Sequence, residues 1–263
     1  MAQSDQSLDR QPTAPEIEAA RVPALFRWLT YLLLMPLLAL ATAGFGTVSL
    51  ICGLWDGSGR QQHLIARVWA RVLLRIALSP VTVVHGERLR DIGTAVFASN
   101  HLSYYDTPVL FAKLPFQFRI LAKSALWKLP FIGWYLARSG QVPIDSSSAR
   151  AGVINLGRGV KALQAGMPLV IFPEGGRTAD GALRPMVAGA AWMAIKAGVP
   201  LVPLTLIGTY ELLPIHVYAL RPRPLKLVVG EPIPTVGLTT RDAERLTAQL
   251  RDEIHRTYVA GQA

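Results

Sequence analysis

Thr94-Ala95-Val96-Phe97-Ala98-Ser99-Asn100-His101-Leu102-Ser103-Tyr104-Tyr105-Asp106 is the stretch on which the fold turns. Thr94 to Ser99 is a short apolar run of strand length, and a polar island follows it without a break. The same sequence of events recurs downstream. The apolar run Pro168 to Phe172 gives way to Pro173-Glu174-Gly175-Gly176-Arg177-Thr178. Both islands carry residues suited to chemistry, and both sit where a strand would hand over to a loop.

Working outward from these two stretches, short apolar runs alternate with helix-length segments. The runs are Val81 to Val84, Thr94 to Ala98, Phe118 to Leu121, Val142 to Ile144, Pro168 to Phe172, Leu201 to Ile207 and Leu225 to Val229. Between or after them, helices are predicted over roughly 103–113, 124–138, 148–165, 186–198 and 239–258. This alternation predicts a single α/β domain over residues 80–263, with a central mixed, largely parallel sheet flanked by helices.

A different composition precedes that domain. Residues 1–22 are polar and read as a mobile tail, without the basic start of a secretory signal. From Trp28 to Trp55 no residue is charged. A bilayer crossing takes about 20 apolar residues, so the stretch is long enough. Tyr31 and Trp55 are placed to sit at the interfaces. Pro36 and Gly44-Phe45-Gly46 also allow a bent, re-entrant hairpin, and both arrangements stay open. Arg67, Arg71 and Arg75 then recur at four-residue spacing among Leu64, Val68 and Leu73, which predicts a basic amphipathic helix against anionic lipid. Residues 23–79 are therefore expected to form a membrane anchor.

Composition bounds the partners. The chain has 263 residues, 51% hydrophobic, with 27 Lys+Arg against 17 Asp+Glu for a net charge of +10. That balance favours anionic partners such as lipid headgroups, an acidic carrier protein or a phosphorylated substrate. No zinc-ligand cluster, arginine-rich arm or aromatic–basic stripe points to nucleic acid. The single cysteine, Cys52, lies in the apolar stretch and can support neither a disulfide framework nor a cysteine-rich metal site.

Two constellations carry the chemistry. An imidazole accepts a proton near neutral pH when a carboxylate fixes its tautomer. Asp106 follows His101 by five residues, an offset that fails within one helix. It works if His101 lies in the strand-to-helix loop and Asp106 in the first helical turn. Ser103 supports that geometry as a helix cap, and by the same token a capping box alone would explain Asp106. In the second constellation, Gly175 and Gly176 allow close backbone approach, and Arg177 presents a planar donor fork suited to phosphate. No nucleophile elbow, Walker loop or dinucleotide fingerprint is present.

Together these motifs resemble the glycerolipid acyltransferases, and most of all the 1-acyl-sn-glycerol-3-phosphate acyltransferases. His101 and Asp106 match the family's His-x4-Asp motif, and Phe172 to Thr178 is similar to its Phe-Pro-Glu-Gly-Thr-Arg-Ser block. Lys123 to Pro130, Gly133-Trp134 and Gly140 to Asp145 resemble the second block, and Val199-Pro200-Leu201-Val202-Pro203-Leu204 the fourth. The four blocks occur in order over about residues 80–210. Three positions depart: Gly176 stands for the usual threonine, Ser146 for a frequent arginine, and Val187-Ala188 where a lysine is common. Arg150 and Arg184 are the neighbouring cations.

The resemblance implies a membrane-bound acyltransferase of phospholipid biosynthesis. Acyl-CoA or an acyl carrier protein would be the donor, and the sn-2 hydroxyl of 1-acyl-glycerol-3-phosphate the acceptor, giving phosphatidic acid. His101 is implied as base and Asp106 as its orienter. Arg177 is implied as phosphate ligand, with Glu174, Gly175, Gly176, Arg150 and Lys123 around the acceptor. No cofactor or metal is implied. The donor implies a cytoplasmic active site on the inner membrane. The departures leave the acceptor headgroup open, lyso-ornithine lipid included. A non-catalytic membrane interaction protein is the reading from another class, and the intact His101, Asp106, Glu174 and Arg177 stand against it. A lipase is disfavoured because no Gly-x-Ser-x-Gly element occurs.

Overall fold

The structure, a computed structural model, describes residues 23–129, 132–144, 149–217 and 219–262, so the expected tail at 1–22 lies outside it. Seven strands form one sheet: β1 (Val81–Val84), β2 (Val96–Ser99), β3 (Arg119–Lys123), β4 (Val142–Ile144), β5 (Leu169–Ile171), β6 (Leu201–Ile207) and β7 (Leu225–Val229). Their spatial order is β1-β7-β6-β2-β5-β3-β4. Every neighbouring pair is parallel except β6 with β7. The mixed, largely parallel sheet expected from the sequence is therefore what forms.

The physical cause lies in the continuous apolar strands. All four residues of β2 and all seven of β6 are buried, so both faces of the sheet must be covered. Successive side chains of β2 feed opposite layers. Phe97 joins one core with Leu110, Phe118, Leu204 and Leu227. Val96 and Ala98 join the other with Leu169, Met193, Leu201 and Leu250. Each fully buried Leu or Phe contributes about 1.5–3 kcal/mol.

The N-terminal helices attach to the first of these cores. α1 (Ala24–Leu29) runs through a π turn (Thr30–Leu34) into α2 (Met35–Cys52). The wide turn falls just before Pro36, which has no N–H to donate one turn back. The stretch Leu25–Cys52 is long and apolar enough to cross a membrane, and only 11% of its most apolar window is buried. Gly44-Phe45-Gly46, read as a turn-former, lies within α2 and does not turn. A helical glycine costs about 1 kcal/mol, which the surrounding apolar helix absorbs.

The reversal comes later, at Gly53 to Gly59. Asp56 organises it by accepting from Ser58 N and Gln61 N, at 3.0 and 2.6 Å. Arg119 and Arg138 donate to the turn carbonyls of Ser58 and Gly53, which ties it to the domain. α3 (Arg60–Ile76) then returns antiparallel to α2. Its Arg71 and Arg75 are exposed, while Ala66, Ala70, Leu73 and Leu74 pack into the core that holds Phe97. A groove of about 530 Å³ lined by Arg71, Arg75 and Lys113 opens beside α3.

The remaining helices are α4 (Asp106–Lys113), α5 (Ile132–Arg138), α6 (Ala149–Gln164), α7 (Gly189–Ala197), α8 (Thr209–Leu212) and α9 (Ala243–Gln262). The helix expected over 124–138 is split into a 3-10 turn (Ser124–Lys128) and α5. α4 begins at Asp106, three residues later than its sequence pattern predicts.

Candidate active site

β2, β3 and β5 are parallel neighbours, so their carboxyl ends reach the same edge of the sheet. That shared edge brings three distant segments together: Asn100 to Asp106 after β2, Lys123 at the end of β3, and Phe172 to Arg177 after β5. Asn100 is buried and spliced into the sheet, exchanging two hydrogen bonds with the backbone of Leu206 on β6 at 2.9 and 2.7 Å. The loop that follows is thereby fixed at its root.

His101 leaves the strand in that loop, and Asp106 opens α4. Their side chains meet at 2.9 Å, His101 Nδ1 to Asp106 Oδ2. An ionised carboxylate has no proton to give, so Nδ1 donates and Nε2 keeps its lone pair. The same oxygen accepts from Leu102 N at 2.6 Å and Ser103 N at 2.8 Å. Only half of the predicted capping box forms. Asp106 accepts from the Ser103 backbone, but the Ser103 hydroxyl accepts from Tyr105 N at 3.2 Å rather than from Asp106 N, and donates to Leu213 O at 2.7 Å. Asp106 therefore orients His101 and also closes its own helix start.

His101 is nearly enclosed, with 12% of its side chain exposed against 0% for Asp106. The ring stacks on Phe172 at 3.9 Å between centroids and 15° between planes. Burial is the main cause that lowers the His101 pKa below its ordinary value. The Asp106 hydrogen bond and charge oppose this, and Arg177 and Lys123 reinforce it. The imidazole is thus held neutral, as a base must be. Phe172 was visible in the quoted block, but its stacking role was not, because only the fold sets β5 beside β2.

Glu174 is buried under the loop and spans it. Oε1 accepts from His101 N at 2.8 Å and Oε2 from Arg184 N at 2.7 Å. Burial pushes its carboxyl up to about 7, against the pull of those two donors. Gly175 takes a left-handed φ of +68°, which glycine adopts freely. Arg177 donates from Nε to Ser103 O at 3.0 Å and lies over the Tyr104 ring at 4.6 Å. Among the described residues no hydrogen bond engages its terminal nitrogens, which suits them to an anion. Tyr210 and Tyr258 hold the far side of this loop by donating to Ala179 O and Gly181 O.

The sequence-predicted residues His101, Asp106, Glu174, Gly175, Gly176, Arg177 and Lys123 are all brought to this edge. Lys123 is close enough to His101 to depress its pKa, and its Nζ lies 3.7 Å from where a Gly176 Cβ would stand. The side chain of Arg150, and Ser146 altogether, lie outside the described residues. Arg184, noted in the sequence only as a neighbouring cation, reaches the Gly176 turn. Among the described residues no group of three or more His, Cys, Asp or Glu is placed to hold a metal ion.

A largely parallel sheet that presents a carboxylate-oriented histidine beside a glycine–arginine turn is the arrangement of an acyl-transfer enzyme class. Residues 81–207 match the family described as Acyltransferase. Within it the relatives share one name. The chain is 35% identical over 156 residues to a chloroplast 1-acyl-sn-glycerol-3-phosphate acyltransferase of Arabidopsis thaliana, covering 58% of this chain and 42% of that protein. It is 29% identical over 235 residues to the 1-acyl-sn-glycerol-3-phosphate acyltransferase of Saccharomyces cerevisiae, covering 87% of this chain and 77% of the other. The chain spans about half the length or less of the first curated relatives it matches, 42% to 52%. The crystal structure of the 1-acyl-sn-glycerophosphate acyltransferase from Thermotoga maritima shares the fold. Its TM-score is 0.72 at 21% identity, over 91% of this chain and 97% of that one.

Proposed function

We propose that this protein transfers an acyl group from a thioester, acyl-CoA or acyl carrier protein, to the sn-2 hydroxyl of 1-acyl-glycerol-3-phosphate, giving phosphatidic acid. The observation that carries the reading is the His101–Asp106 pair, joined at 2.9 Å and nearly enclosed beside the Arg177 guanidinium. The names of the relatives support the acceptor.

In this mechanism His101 Nε2 removes the acceptor hydroxyl proton as that oxygen attacks the thioester carbonyl carbon. Base catalysis of this kind contributes about 10²–10⁴-fold. Asp106 stabilises the imidazolium that forms. The C–S bond breaks as the new ester forms, and the departing thiolate takes the proton back from His101. No acyl-enzyme is needed, because the acceptor is itself the nucleophile. Arg177 and Lys123 bind the acceptor phosphate, and Glu174 holds the loop that carries Arg177. Both acceptor and product are membrane lipids. The exposed apolar helix of α1 and α2 and the basic face of α3 would hold the site at the inner membrane, on the cytoplasmic side where the donor resides.

The departures at Ser146 and Val187 favour one second reading, a different lyso-lipid acceptor such as lyso-ornithine lipid with the same chemistry. Mass spectrometry of the products made by purified protein in vesicles, with labelled acyl-CoA and each acceptor in turn, tests both. Phosphatidic acid is the expected product. Acylation of lyso-ornithine lipid alone would keep the chemistry and replace the substrate. No product with any acceptor and either donor would reject the function.

A further inference from the structure

Gly175 and Gly176 are adjacent, but they are glycine for different reasons. Gly175 needs its left-handed φ of +68°. Gly176 has no positive φ, so its backbone would accept any residue. What glycine supplies at 176 is room. A Cβ built there would lie 3.1 Å from Arg184 Nη1 and 3.7 Å from Lys123 Nζ. The first distance is tighter than side-chain carbons ordinarily tolerate, and threonine, the residue of the resembling block, would add a methyl and a hydroxyl beyond it. The Arg184 guanidinium occupies the space that such a side chain would need.

The root of Arg184 is fixed at the same turn, through its N–H to Glu174 Oε2. Arg177 follows Gly176 directly, and both Arg177 and Lys123 act electrostatically on His101. Lys123 and Arg184 therefore meet at the glycine turn and Arg177 lies beside the base, with Glu174 and Asp106 as the carboxyls in their field. The nearby carboxyl of Glu174 already accepts two backbone N–H groups. Like charges gathered this way favour an anion among them. Guanidinium forks suit a phosphate monoester in particular.

We propose that Arg184 is a third ligand for the phosphate monoester of the acceptor, and that glycine at residue 176 leaves the room its guanidinium takes at the site. The proposal rests on the acyl-transfer reading for its choice of ligand. It also gives the departure at Gly176 a purpose: the smaller residue admits a cation from elsewhere on the loop.

The test is the KM for 1-acyl-glycerol-3-phosphate in wild type, Arg184→Leu, Gly176→Thr and the double variant, with Gly176→Ala supplying the Cβ alone should the threonine variant not fold. Each single substitution is expected to raise the acceptor KM about tenfold, the scale of one charge-assisted hydrogen bond. The donor KM should stay as it is. The double variant should be no worse than Arg184→Leu alone, because the guanidinium that threonine would displace is already gone. An unchanged KM in Arg184→Leu, or additive effects in the double variant, would overturn the proposal. The melting-temperature rise with sn-glycerol 3-phosphate separates the site from the reaction. A wild type that transfers no acyl group but is stabilised by this ester, with the effect lost in Arg184→Leu, upholds the site and rejects the reaction. Stabilisation retained in Arg184→Leu overturns the site.

Discussion

At the residue scale the proposed chemistry turns on the electrostatics of one imidazole. Burial holds the His101 pKa below its ordinary 6.5, despite the carboxylate at Nδ1. A base must be neutral to act, so kcat/KM should stay level down to an acid limb whose apparent pKa lies below 6.5. A limb at or above that value in a pH–rate profile would contradict the assigned environment. Stability follows the same sign. Below about pH 6.5 the unfolded chain takes up this proton more readily than the folded one, so folding weakens as pH falls towards the depressed value. In the proposed mechanism Arg177 binds the acceptor. Arg177→Ala should raise the acceptor KM by roughly tenfold or more, since it removes a charge-assisted ligand. An acceptor KM that does not move would remove Arg177 from the site.

At the element scale the loop after β5 behaves as one unit because Glu174 ties it to the loop after β2. Glu174→Ala would orphan two N–H groups, those of His101 and Arg184. Such losses cost about 1–3 kcal/mol each where the donor is left buried. Both a lower melting temperature and a lower kcat are therefore expected. A variant stable and active as wild type would show that the loops hold without the carboxylate. Much of this was legible in advance, for a physical reason. Strands buried on both faces expose polar residues only at their ends, so the islands at His101 and Glu174 stood out from apolar surroundings. The partnership of Glu174 with Arg184, and the stacking of Phe172 on His101, were not legible. The stacking depends on β2 and β5 being neighbours although two other strands separate them in the chain, and the Glu174–Arg184 contact depends on how one long loop folds back on itself. The position of the hairpin turn was also hidden. Gly44 and Gly46 look like breakers, yet an uncharged helix absorbs them. Asp56 and the carbonyls bound by Arg119 and Arg138 decide where the chain reverses.

At the scale of the whole molecule, the three helices α1, α2 and α3 that precede the sheet divide between two duties. α3 is part of the domain's core, so Leu73→Ala, at a buried site, should destabilise by about 2–4 kcal/mol in denaturant unfolding. The run through α1 and α2 leaves large side chains outside, with Leu32 71% and Leu40 70% exposed. Leu32→Glu with Leu40→Glu should release the protein from anionic vesicles in a flotation assay without lowering the melting temperature. Retention on vesicles would place the membrane contact elsewhere. The proposed function would give this asymmetry a purpose, since its acceptor and product are both lipids of the bilayer. The claim on which the rest depends is that His101 is the base of an acyl transfer. The most direct measurement is the rate of phosphatidic acid formation by wild type and His101→Ala in the same vesicles, with melting temperatures taken on both. The account predicts a loss of at least about 10²-fold in the variant at an unchanged melting temperature. A folded His101→Ala protein that turns over at the wild-type rate would contradict it.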